Sequence, residues 1–202
     1  MWIVALLACA PPAHETLEEA APPPEVLGPA LAAYTCAVER GDIQGPALAV
    51  IDFSRASLRK RLWLIHGDTG QVERMHVTHG RASGGRWATT FSNTPDSNQS
   101  SLGLFRGAEV YTGRHGRSLR LDGLEPGVND HARDRAIVLH GADYATLRYG
   151  LLHGRLGRSL GCPAVAPGLS DHLIDALAEG GALFAWYPDE RWLSTSTYLH
   201  CS

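Results

Sequence analysis

Apolar residues recur along this chain with two different periods. Between residues 25 and 40, Val26, Leu27, Leu31, Tyr34 and Val38 fall at helical spacings and Gly41 follows, which predicts one amphipathic helix. From about residue 47 the texture changes. Ala47-Leu48-Ala49-Val50-Ile51-Asp52-Phe53 and Arg61-Leu62-Trp63-Leu64-Ile65-His66 read as strands, and Asp68-Thr69-Gly70 reads as a hairpin turn leading to Val72. Further short strands are expected at 72–78, 102–106, 109–112, 117–121, 136–140 and 182–187. A second helix fits 169–179, where Leu169, Leu173, Ile174 and Leu177 share a face and Gly180-Gly181 ends the pattern. Many short strands with glycine-rich connections, few helices and no internal repeat predict a mainly β domain, a sandwich or barrel with its core over 47–188.

The first 24 residues follow neither period. Trp2 to Cys9 is apolar but too short to span a bilayer. It reads either as the core of an export signal or as a partly hydrophobic terminus. Leu6-Leu7-Ala8-Cys9 looks like a bacterial lipobox, in which Cys9 is lipidated after cleavage. Residues 10–24 are rich in Pro, Ala and Glu and read as a tether. The expected organisation is therefore a signal and lipobox over 1–9, a tether over 10–24, and one folded domain over 25–202, a lipoprotein of the cell envelope that touches membrane only through its anchor.

Composition narrows the function. A chain of 202 residues with 44% hydrophobic and 19% charged content suits one soluble domain. A net charge of −3 lacks the basic excess that general nucleic-acid binding needs. Of the four cysteines, Cys36 and Cys201 bracket the folded part, and they either close a disulfide in an oxidising compartment or stay free thiols.

The chemistry concentrates in one stretch. Gly154-Arg155-Leu156-Gly157-Arg158-Ser159-Leu160-Gly161-Cys162-Pro163 ends in a cysteine on a glycine-punctuated turn. Upstream, Ala136-Ile137-Val138-Leu139 is a strand-like run closed by His140-Gly141. A thiol with an imidazole from an adjacent strand is the minimum for cysteine acyl transfer; the alternative is a buried structural cysteine. Gly161 lets backbone approach a carbonyl, and the amides of Gly161 and Cys162 are candidate oxyanion donors. His76, His79, His115, His131 and His153 join His140 in a histidine-rich set, so a zinc site with Cys162 is the competing chemistry, although no metal-binding spacing occurs. The glycine-rich runs 79–85 and 100–103 lack phosphate-loop endings and read as cleft walls.

Arg135 to Tyr144 followed by Gly154 to Val165 closely resembles the murein L,D-transpeptidase catalytic domain family, in its YkuD-type branch. Phe91-Ser92-Asn93-Thr94, Ser100-Ser101-Leu102-Gly103, Tyr111 to Leu121, and Gly123-Leu124-Glu125 with Asn129-Asp130 extend the resemblance over roughly 34–188. The resemblance implies a Cys162 nucleophile, a His140 base oriented by the Gly141 carbonyl, and Ser159 and Gly161 shaping the nucleophile turn. It implies peptidoglycan stem peptides as substrate, carbapenem-type inhibitors, no metal or organic cofactor, and a monomer. The sequence departs from the wider superfamily at Leu160, where a histidine is usual, and at Pro163-Ala164, where an arginine often follows. Arg155 or Arg158 is then expected to hold a substrate carboxylate, with Tyr144 and His115 as further substrate contacts.

Overall fold

The computed structural model describes residues 20–201. Cys9 and most of the 10–24 segment lie outside the described residues. The chain begins with α1 (Pro24–Glu39), where Pro24 occupies the first turn and Glu25 favours the positive helix end. Its buried face is Val26, Ala30, Ala33, Cys36 and Ala37, whereas Leu31 and Val38, expected on that face, are 45% and 44% exposed. The alanines explain the difference, because small side chains let the helix lie close against the sheet.

Strands β1 (Ala47–Asp52), β2 (Leu62–His66), β3 (Val72–Met75), β4 (Gly103–Gly113), β5 (Gly116–Gly123), β6 (Val138–Gly141), β7 (Ala164–Val165) and β8 (Ala182–Trp186) form one sheet in the order β3-β2-β1-β8-β4-β5-β6-β7. β1 lies parallel to β8, β6 lies parallel to β7, and the other neighbours are antiparallel. Every residue of β1 is buried, as expected for a strand covered on both faces. The hairpin at Asp68-Thr69-Gly70 forms, with Gly70 in the left-handed region at φ +70°. The two strands expected at 102–106 and 109–112 are one bent strand, β4, with an irregularity between Gly107 and Val110. A Cβ on Gly107 would stand 2.0 Å from the Leu177 carbonyl, so a glycine is required where α3 (Pro167–Leu177) meets the bend.

The sheet curls until its ends nearly meet. Beyond β3, the Thr78 amide donates to the Ala164 carbonyl (3.0 Å), the Ser159 amide donates to the His79 carbonyl (3.0 Å), and Gly80 bridges Ser159. The result is a barrel-like, mainly β domain. Its closing seam contains the fully buried Arg61, whose guanidinium donates to the Val77 and Arg55 carbonyls and to His79 Nδ1 (2.7 Å). His79 is thereby an acceptor at Nδ1 and carries its proton at Nε2. Burial and the neighbouring guanidinium push its pKa down to about 4.

A second polar plug follows β5. The Glu125 carboxylate, 1% exposed, accepts from the Leu104 amide (2.8 Å) and from Trp192 Nε1 (3.0 Å). Asn129 donates to the Leu102 and Leu104 carbonyls. These motif residues secure a loop to β4 and are structural. Trp192 belongs to α4 (Glu190–Thr195), which with α2 (Leu147–His153) had no periodic signal. Both span at most seven residues, and α2 leaves Leu151 and Leu152 exposed. Cys36 and Cys201 are joined as a disulfide that ties the C-terminal tail to α1.

Candidate active site

β6 alternates cleanly. Ile137 and Leu139 enter the apolar core, while Val138 and His140 face the other way and line a cavity of about 530 Å³. β7 runs parallel beside β6, with Ala164 opposite His140. Two residues back along each chain, Cys162 comes level with Val138, and the Val138 amide points at Cys162 Sγ (3.5 Å). Parallel pairing therefore brings both groups to one side, and Cys162 lines the same cavity as His140. The intervening residues are used by a 3₁₀ turn at Asp143–Ala145 and by α2, which Gly154 ends at φ +69°.

His140 is 2% exposed and its Nδ1 lies 2.9 Å from the Gly141 carbonyl. A carbonyl only accepts, so Nδ1 carries the proton and Nε2 keeps its lone pair. Burial lowers the His140 pKa, the Gly141 bond partly opposes this, and neighbouring His115 lowers it further. His115, in the β4–β5 turn, stacks on the His140 ring with centroids 4.3 Å apart, and Tyr144 meets it edge-on at 6.5 Å. Burial also pushes the Cys162 thiol up, against the Val138 amide and the Arg135 charge, which favour the thiolate. Thiol and imidazole are consequently both neutral at rest.

The turn that carries Cys162 is tightly braced. Ser159 Oγ donates to the Cys162 carbonyl (2.6 Å) and accepts from the Gly161 amide (3.1 Å). Ser100 Oγ donates to the Gly161 carbonyl (3.0 Å), so both glycine-rich runs buttress the turn. Gly161 is required twice over, by φ +130° and by the 2.8 Å that would separate a Cβ from the Gln99 carbonyl. The Gly161 amide, expected as an oxyanion donor, is committed to Ser159 Oγ. Ala136 adopts φ +52°, a conformation that costs a non-glycine residue about 1–2 kcal/mol, and its carbonyl faces Cys162 Sγ at 3.7 Å.

The catalytic domain family of the L,D-transpeptidases matches residues 19–186. The chain belongs to that family. Among solved structures, this L,D-transpeptidase domain is similar to an L,D-transpeptidase from Mycobacterium tuberculosis H37Rv (13% identity, 70% of this chain and 58% of that one, TM-score 0.47). It is also similar to L,D-transpeptidase 3 of Mycobacterium tuberculosis in complex with a faropenem-derived adduct (12% identity, 70% and 60%, TM-score 0.46). A third is the L,D-transpeptidase from Xylanimonas cellulosilytica (15% identity, 75% and 68%, TM-score 0.40). None of these scores reaches 0.5, and membership rests on the family match. The chain spans about three-fifths of the mycobacterial chains' length. No curated protein matches it.

Within this L,D-transpeptidase domain, Tyr144, His115, Arg158 and Ser159 line the cavity with the thiol and imidazole. Arg155 does not. It follows the left-handed Gly154, and its guanidinium turns back to the Leu156 carbonyl (3.0 Å) while Leu156 is fully buried. Arg158 donates to the Arg81 and Gly84 carbonyls, so part of its guanidinium serves the loop. Sequence reasoning missed Arg135 as a charge beside the thiol. Arg135 donates to Ser92, Ser97, Gln99 and Ser101, and its electrostatic partner is Cys162. Arg114 joins the wall, which among the described residues holds three arginines and no carboxylate. His115 meets His140 face to face, a stacking that does not aim two ring nitrogens at one point. Among the described residues, the cluster with three metal-ligating groups lies elsewhere, at His66, Glu73 and His172.

Proposed function

We propose that this domain is a cysteine acyl-transferase that cleaves the L,D bond before the terminal D-alanine of peptidoglycan stem peptides and forms 3→3 cross-links. One observation carries the reading: a buried imidazole fixed through Nδ1 to the Gly141 carbonyl, with Nε2 unbonded among the described residues, in one cavity with Cys162. His140 Nε2 takes the thiol proton as sulfur bonds to the stem-peptide carbonyl carbon. The Cys162 amide and the Tyr144 hydroxyl, whose pKa burial lifts to about 12 and which therefore stays protonated, are the donors proposed for the developing oxyanion. Collapse breaks the C–N bond, and the His140 proton passes to the departing D-alanine nitrogen. The thioester is then taken by an amine of a second stem, which yields its proton to His140, or by water, which makes the enzyme a carboxypeptidase. The three arginines and absence of carboxylates on the wall suit an anionic stem peptide.

The same proposal extends to the envelope. Residues 1–9 act as an export signal with Cys9 lipidated, residues 10–24 act as a tether, and residues 25–202 act as the catalytic domain. The Cys36–Cys201 disulfide suits an oxidising compartment and supports this. Cys162→Ala is expected to abolish D-alanine release from a tetrapeptide stem, measured by mass spectrometry of the products, while leaving the circular dichroism spectrum unchanged. Turnover retained by that variant contradicts the mechanism.

A further inference from the structure

Away from the Cys162 cavity, a second group of chemically capable side chains converges from three elements. His66 ends β2, Glu73 stands on β3 and His172 lies on α3. One carboxylate oxygen, Glu73 Oε1, receives both His66 Nε2 (2.8 Å) and His172 Nε2 (2.7 Å). The two rings stand 5.9 Å apart at 40°, and all three ligand atoms lie within 4.8 Å of one another. His66 and His172 share a surface cavity of about 270 Å³ with Asp68 and Asp175. Asp175 is engaged by Arg117 of β5, which also reaches Asp171, so Asp68 is the nearby carboxylate outside that pairing.

We infer that His66, Glu73 and His172 form a surface site for one divalent transition metal of the zinc type. Two imidazole nitrogens and one carboxylate oxygen are a common zinc donor set, and imidazole nitrogens disfavour magnesium and calcium. Ligand bonds of about 2.0–2.1 Å in a tetrahedron place donor atoms roughly 3.3–3.4 Å apart. The present spacings of 2.7 and 2.8 Å therefore need to open by only about half an ångström. Water supplies the fourth position. A metal here ties α3 to the β2–β3 hairpin, and α3 carries the Pro167 and Ser170 atoms against which Gly141 packs. The site is thus a clip behind the proposed catalytic strand and takes no part in the chemistry.

The test is calorimetric titration of the chelator-stripped full chain with zinc chloride and, separately, magnesium chloride. Wild type and Cys162→Ser are compared with His172→Ala and Glu73→Gln, both partly exposed positions where the fold tolerates change. One zinc equivalent is expected in wild type and in Cys162→Ser, with no magnesium uptake. Each ligand variant should bind more than about a hundredfold more weakly, beyond the loss seen when only a supporting residue is removed. Zinc should raise the melting temperature of wild type but not of His172→Ala. No zinc uptake, uptake unchanged in His172→Ala, or uptake abolished only in Cys162→Ser overturns the inference.

Discussion

At the scale of single residues, the protonation of the proposed pair decides how the site works. Burial disfavours the charged form of both groups, so it raises the thiol and lowers the imidazole. In the proposed mechanism the proton stays on sulfur at rest, and His140 acts as a base during attack. Below its lowered pKa, His140 is protonated and cannot accept that proton, so activity falls on the acid side. The acid limb of kcat/KM is expected below the ordinary imidazole value of 6.5 and the alkaline limb above the ordinary thiol value of 9.0. A preformed thiolate–imidazolium pair, seen as thiolate ultraviolet absorbance at neutral pH, contradicts this. Cys162 and His140 stand out in the sequence because each sits in a local motif, and the structure brings both to one cavity. Arg135 does not stand out, since its place beside Cys162 depends on a loop that folds back from residues 92–101. Arg155 misled because spacing cannot show that a left-handed glycine turns its side chain away.

At the scale of elements, β6 is held between β5, β7 and α3, and Gly141 is the tightest point. A Cβ there would stand 2.7 Å from Ser170 Oγ and 3.1 Å from Pro167 Cα. Gly141→Ala should push β6 off α3, cost about 1–3 kcal/mol of stability, and shift the carbonyl that orients His140. A displacement of that size is expected to lower kcat by roughly tenfold to a hundredfold. Adding Ser170→Gly removes the nearer obstacle and should restore part of the rate, measured as kcat with KM little changed. Failure of the second change to restore any activity argues against orientation through Gly141. Most strands were readable as short apolar runs bounded by turn residues, because strands covered on both faces bury nearly every position. The bend that fuses two expected strands into β4 was not, since it depends on α3 meeting Gly107. The His66–Glu73–His172 cluster was equally invisible, as Glu73 and His172 are 99 residues apart and share no motif.

At the scale of the molecule, two devices close the domain: the polar seam around Arg61 and His79, and the Cys36–Cys201 clip. The clip spans 165 residues, and no residue of it lines the Cys162 cavity. Closing so long a loop restricts the unfolded chain, a contribution of about 2–5 kcal/mol. The double variant Cys36→Ala/Cys201→Ala should melt about 5–15 °C lower while its activity at room temperature is unchanged. An unaltered melting temperature contradicts a stabilising role for the clip. The mainly β class followed from the sequence, whereas barrel closure did not, because it rests on hydrogen bonds of the irregular segment after β3.

The most direct measurement of the central claim is intact-protein mass spectrometry after incubation with a carbapenem. In the proposed mechanism the β-lactam carbonyl acylates Cys162 as the stem-peptide carbonyl does. The account predicts one covalent adduct per chain, mapped to Cys162 and lost in Cys162→Ala. His140→Ala should form it at least about a hundredfold more slowly, as loss of a general base requires. Absence of any adduct on the folded protein, or an adduct that persists in Cys162→Ala, contradicts it.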